Sequence, residues 1–211
     1  SREGRNNTED LFPLTFNREI LFSNISFSYI QEKNEVLRNI NFSIKKGETI
    51  GLVGESGSGK STLSNLLLGL LEPTKGELTI DSTKLTENNF TSWQQMIGYV
   101  PQEVYLLDDS IRRNIAFGLD DLEIDDDRVN LVIEMAQLRN LVEGTQDGLS
   151  LKLGERGARL SGGQKQRIGI ARALYNDPEV LIMDEATSAL DNKTEKEILN
   201  TLKPLVGAKT I

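Results

Sequence analysis

The spacing of apolar residues changes twice along the chain. From Ile20 to Ile80, short runs rich in β-branched and aromatic residues ("ILF", "ISFSYI", "VLRNINFSI", "ETIGLVG", "GELTID") alternate with turns, two of them marked by Lys46-Gly47 and Lys75-Gly76. Such residues suit a pleated, half-buried surface, so each run predicts a strand. One helix interrupts the series. It starts after the glycines of 54–59 and carries Leu63, Leu66, Leu67 and Leu70 on one face, with Pro73 just beyond its end. From Glu103 to Ala158 the pattern is mostly helical. Val129, Ile133 and Ala136 mark one apolar face, and Asp125 to Asp127 offer an N-cap and charge suited to the helix dipole. The last third is α/β again: a helix after "LSGGQ", the buried-strand run "VLIMD" at 180–184, then a helix rich in Glu and Lys.

Composition narrows this picture. At 211 residues the chain fits one α/β domain, or one with a modest insertion. A net charge of −8 argues against nucleic acid, which requires a basic face. With no cysteine there are no disulfides and no thiolate metal sites, and there is no histidine either. The apolar run 66–71 is broken by Gly69 and is far shorter than the ~20 residues needed to span a bilayer. The polar opening "SREGRNNTED" reads as a linker. Six carboxylates crowd 120–127, but without the glycine and terminal glutamate of a calcium loop they read as a solvated loop.

"GESGSGKS", Gly54 to Ser61, fits the phosphate-binding pattern G-x-x-x-x-G-K-[ST] between a strand-like run and a helix. The backbone N–H groups of Gly54, Glu55, Ser56, Gly57, Ser58 and Gly59 can turn inward around an anion. The helix start at Lys60, Ser61 and Thr62 adds its positive dipole end. Lys60 is expected to reach the β- and γ-phosphates, and the Ser61 hydroxyl to ligate Mg2+. A second carboxylate-bearing strand is then required, and "VLIMDE" provides it. Asp184 at the strand end is expected to hold the metal, and Glu185 to accept a proton from an attacking water.

"LSGGQ" (160–164), together with the phosphate loop, "VLIMDE" and "SALD" (188–191), resembles the nucleotide-binding domain of ABC transporters, from about Ile20 to the end of the chain. The resemblance implies an α/β fold: a P-loop NTPase core with a parallel sheet, an N-terminal antiparallel β subdomain and an inserted helical subdomain at about 103–172. Residues 1–18 would be a linker from an upstream transmembrane domain, and 19–211 the ATPase domain. It further implies that Tyr29 in "ISFSYI" stacks on adenine, and that Gln102 in "YVPQ" ligates Mg2+ and relays to the membrane domain. Ser161, Gly162, Gly163 and Gln164 would form the signature turn on the γ-phosphate of the ATP held by the opposite subunit, and Asp191 would cross the dimer interface. A serine and two glycines opening a helix are chemically suited to an anion. "LGERG" (153–157), with Glu155 and Arg156 near the membrane domain, and "YLLDDSIRRNIAFG" (105–118) resemble exporter-type members, including those moving lipids or lipid-linked glycans.

One departure stands out. The family carries a switch histidine on the γ-phosphate, and this chain has none. It stops at "AKTI", which resembles the start of the strand leading to that residue. In the family that strand lies between the strands carrying the phosphate loop and Asp184, so a longer parent chain is expected. The expected function is ATP binding and hydrolysis by a head-to-tail dimer, of identical or paralogous domains, at the cytoplasmic face of a membrane. It would power export through a transmembrane domain fused upstream, without nucleic acid, and with Lys60, Gln102 and Glu185 catalytic. Two alternatives remain open. One is a soluble ABC ATPase acting on nucleic acid or ribosomes, although the 57 residues at 103–159 hold no sustained heptads for the coiled coil of DNA-repair members. The other is a nucleotide-binding clamp that does not hydrolyse.

Overall fold

A computed structural model describes residues 14–29, 34–184 and 192–211. The chain divides into two compact units, Ser1–Met96 and Ile97–Ile211.

In the first unit, "ILF" and "ISFSYI" merge into one strand, β1 (Glu19–Phe27). It lies between β2 (Leu37–Lys45) and β3 (Lys75–Ile80), both antiparallel, and β4 (Thr83–Lys84) completes the order β2-β1-β3-β4. Ile20 faces Ile44 on one side and Ile80 on the other, and Phe22 faces Phe42 and Leu78. The Phe22 and Phe42 rings stack at 4.4 Å. A register shift after Phe22 explains why one strand read as two. The segment before β1 is pinned as well. The Asp81 carboxylate accepts the N–H groups of Asn17, Arg18 and Glu19, and Phe16 meets the buried Trp93 edge-on at 6.0 Å.

The phosphate-loop helix, α1 (Lys60–Leu67), is shorter than its leucine pattern predicts. Gly69 adopts φ 66°, with its N–H on Leu66 O at 3.1 Å and the Leu70 N–H on Asn65 O at 2.9 Å, which is the left-handed glycine stop of a helix. Leu70 therefore falls off the apolar face and is 63% exposed. A short helix absent from the sequence reading, α2 (Phe90–Gln95), follows, and its Trp93 Nε1–H donates to Leu67 O at 2.7 Å. "ETIGLVG" does not form the predicted strand: residues 48–55 have no regular secondary structure and Val53 is 98% exposed. A strand is stabilised by the ladder bonds of its neighbours, and among the described residues none pairs with this run.

The second unit is built on two parallel strands, β5 (Ile97–Val100) and β6 (Val180–Met183), in register from Ile97↔Val180 to Val100↔Met183. Thr210 continues the ladder beside β6, accepting the Leu181 N–H at 2.8 Å and donating to Glu179 O at 3.0 Å. The region expected to be mostly helical holds three short α-helices, α3 (Ile111–Ile115), α4 (Asp126–Met135) and α5 (Arg139–Glu143), and two 3-10 turns, Gly148–Ser150 and Glu155–Gly157, with irregular chain between them. Val129, Ile133 and Ala136 are fully buried as their spacing predicts, and the Asp125 side chain caps α4 by accepting the Arg128 N–H at 3.0 Å. The long helix α6 (Gly162–Leu174) packs on β5 so closely that a Cβ at Gly98 would lie 2.5 Å from Ala173 O. Arg128 donates to the Leu174 and Tyr175 carbonyls, both at 2.7 Å, closing the C-terminal end of α6. The last α-helix is α7 (Asn192–Leu202), followed by a 3-10 turn at Lys203–Leu205. Among the described residues no helix is long and apolar enough to cross a membrane.

Candidate functional site

The phosphate loop has a backbone path that only glycine follows without strain. Gly57 and Gly59 have φ of 81° and 92°, and Gly59 is the left-handed N-cap of α1. A Cβ at Gly59 would lie 2.7 Å from Leu37 Cδ2, and one at Gly54 would lie 2.6 Å from Ser58 Oγ. No side chain caps α1, so the loop presents an exposed helix start whose first N–H groups are available to an anion. The Lys60 ammonium lies across the loop, donating to Gly54 O at 2.7 Å and Glu55 O at 2.9 Å. Ser61 is exposed on the first turn, and Thr62 is buried behind it. Tyr29 is brought to this turn from the end of β1. Its hydroxyl is 3.2 Å from Thr62 Oγ1, its ring meets Phe27 edge-on at 4.9 Å, and 39% of it is exposed. The structure thus gathers Tyr29, Lys60, Ser61, Thr62 and the loop 54–59 in the first unit.

The remaining described site residues belong to the second unit. Because β5 and β6 are parallel and end together at Val100↔Met183, Gln102 and Asp184 emerge at the same carboxyl edge of the sheet, where α/β folds bind ligands. Gln102 lies in an exposed bend, and the half-buried Asp184 donates its N–H to Val100 O at 2.9 Å. Gln102 and Asp184 at this edge offer oxygen donors, and the Ser61 hydroxyl of the first unit offers another; oxygen is the donor type that a hard divalent cation such as Mg2+ takes. Ser161 caps α6 reciprocally: its hydroxyl accepts the Gln164 N–H at 3.2 Å and its own N–H donates to Gln164 Oε1 at 2.8 Å. Gln164 is therefore tied into the turn, and the exposed Ser161 and Gly162 form its open face. Glu155 and Arg156 lie exposed on a short 3-10 turn, and Lys165 donates to Arg156 O at 2.9 Å. Glu185 and Asp191 lie outside the described residues.

Several features here were not read from the sequence. Burial and the neighbouring Asp184 carboxylate push the Tyr99 pKa up. Arg172, near the C-terminal end of α6, donates to Asn114 O at 2.8 Å, Tyr105 O at 2.9 Å and Asn114 Oδ1 at 3.2 Å. Its guanidinium also stacks 4.7 Å over Phe117. None of these partners is charged, and burial lowers its pKa. The signal was an arginine within the otherwise apolar end of α6, "IARAL". The acidic stretch is partly paired: Asp121 binds Arg112 at 3.3 Å and Arg113 at 2.7 Å, and Asp126 binds Arg112 at 2.5 Å. Among the described residues no cluster of acidic side chains could hold a metal ion.

With this geometry established, comparison with known proteins is decisive. The family described as "ABC transporter" matches residues 37–188. The chain belongs to the ABC transporter family. Within that family it is 40% identical over 193 residues to an ATP-dependent lipid A-core flippase of Ralstonia nicotianae, a match covering 91% of this chain and 33% of that protein. It is 43% identical over 191 residues to the uncharacterized ABC transporter ATP-binding protein YwjA of Bacillus subtilis, covering 90% of this chain and 33% of the relative. Among solved structures it is similar to a bacterial Atm1-family ABC exporter with ATP bound, with a TM-score of 0.82 and 36% identity, over 94% of this chain and 35% of that one. The chain thus spans about a third of the length of these ABC relatives, and it shares the mixed α/β fold of an ABC exporter's nucleotide-binding domain.

Proposed function

We propose that this chain is the ATP-hydrolysing domain of an ABC exporter. The observation that carries this reading is the phosphate loop: glycines at left-handed positions leading into an uncapped helix start, with Lys60 lying across them. The loop N–H groups and Lys60 would bind the β- and γ-phosphates, and Tyr29 would take the adenine. Mg2+ held by Ser61, Gln102 and Asp184 would neutralise charge on the phosphates. Glu185 would accept a proton from the attacking water, and catalysis would consist chiefly of positioning and charge stabilisation.

A second domain, identical or paralogous, would complete each site. In a two-fold dimer the Ser161–Gly162 turn of one copy faces the Lys60 loop of the other, and the reverse holds for the second site. Asp191 would lie at that junction. ATP-driven closure would act on a transmembrane domain fused upstream, at the cytoplasmic face of the membrane. The export ATP-binding/permease names of relatives support an export role, and the name of one relative, a lipid A-core flippase, supports a lipid or lipid-linked cargo. The test is Glu185→Gln. It should leave ATP binding intact and lower turnover by about 100-fold or more; undiminished turnover would remove Glu185 from its role.

A further inference from the structure

The proposed metal carboxylate has a neighbour that this mechanism does not use. In the parallel ladder Tyr99 on β5 is paired with Ile182 on β6. Side chains alternate between the two faces of a strand, so Asp184, two residues after Ile182, returns to the face that Tyr99 occupies. The ladder persists to that point, because the Asp184 N–H donates to Val100 O at 2.9 Å. A diagonal separation of this kind is within reach of a long aromatic side chain, and the Asp184 carboxylate is near enough to the Tyr99 phenol to add to burial in pushing its pKa up. The placement is enforced from behind. On the opposite face Gly98 is packed against the α6 backbone, where even a methyl group would clash with Ala173 O, so Tyr99 could change faces only with a register slip of the whole strand.

We infer that Tyr99 is a positioning residue for Asp184: its phenol O–H fixes one carboxylate oxygen and leaves the other to the divalent cation of the reaction proposed above. This rests on the metal-holding reading of Asp184. A carboxylate at a strand end turns about two side-chain bonds, and a ligand that must order it loses affinity accordingly. A hydrogen bond already made in the folded protein removes part of that ordering from the binding step, as outer partners of metal ligands commonly do. Tyr99 is 38% exposed, so its ring alone would serve merely as packing at the sheet edge. Only the O–H distinguishes the two roles.

Tyr99→Phe keeps the ring and deletes the donor. In the full-length protein, the Mg2+ concentration that half-saturates the tightened binding of a fluorescent ATP analogue should rise about tenfold. The thermal midpoint without metal or nucleotide should not change. Asp184→Asn, measured in parallel, should abolish the Mg2+ dependence. If Asp184→Asn abolishes it and Tyr99→Phe leaves it unmoved, the positioning role is wrong while the metal reading stands. The positioning role is equally overturned if Tyr99→Phe lowers the metal-free thermal midpoint without moving the Mg2+ dependence. If Asp184→Asn itself leaves the Mg2+ dependence intact, the metal reading fails and the inference fails with it.

Discussion

Gly59 illustrates how a single residue can set the chemistry of a loop. Its φ of 92° disfavours any L side chain, and a Cβ there would press on Leu37 Cδ2 at 2.7 Å and approach Val36 O at 3.4 Å. Gly59→Ala should therefore cost about 1–3 kcal/mol of local strain, and a loop that relieves it by leaving the anion-binding path should lose roughly 5- to 150-fold in nucleotide affinity. Gly207 is a fair comparison: its φ is also positive, at 81°, but a Cβ there meets nothing within 4 Å. Gly207→Ala should lower the denaturation midpoint modestly and leave nucleotide binding unchanged. Equilibrium binding of a fluorescent ATP analogue to both variants separates the two effects. Lys60 and the glycines were legible in the sequence because their function depends on local spacing. Tyr99 and Arg172 were not, because the strand register and the loop 105–117 that give them partners are set by tertiary structure.

Among the elements, the entry to β1 depends on a single charge. Three successive N–H groups converge on Asp81. Burial works against the charged form, but those bonds to Glu19, Asn17 and Arg18 and the Arg18 charge outweigh it and hold the pKa below the ordinary aspartate value. A depressed pKa contributes stability that is present above the unfolded value of about 3.9 and is lost as pH falls through the folded value. Asp81→Asn keeps an acceptor and tolerates the left-handed backbone at this position, φ 47°. It should cost about 1 kcal/mol at neutral pH and flatten the loss of stability below about pH 4, as read from urea midpoints across that range.

The elements also show where pattern reading stops. Val129, Ile133, Ala136 and the Asp125 cap were read correctly because an amphipathic helix and its cap are local features. Leu70 was misplaced because the Gly69 stop outweighs a continuing leucine pattern. The run "ETIGLVG" was misread because its apolar composition specifies a strand only where a neighbour supplies hydrogen bonds. The helix α2 was missed because six residues give too short a window for periodicity, and its anchor, the Trp93 bond to Leu67 O, lies 26 residues away.

At the scale of the whole molecule, the order of motifs was readable in advance, whereas the partner of each motif was not. The chain carries two helix starts suited to phosphate, at Lys60 on α1 and at Gly162 on α6. In the proposed dimer each is used on a different nucleotide, so every working site draws on two copies. This can be tested by mixing two variants in the full-length protein, Lys60→Met and Ser161→Glu, and measuring phosphate release from MgATP. Each variant alone should be inactive. In a one-to-one mixture of freely exchanging subunits, about half the dimers are mixed and each has one site with both Lys60 and Ser161 intact, so turnover should recover to roughly a quarter of the unmodified level. A mixture as inactive as its two components would mean that each copy hydrolyses ATP with its own residues, and the shared-site dimer would be wrong.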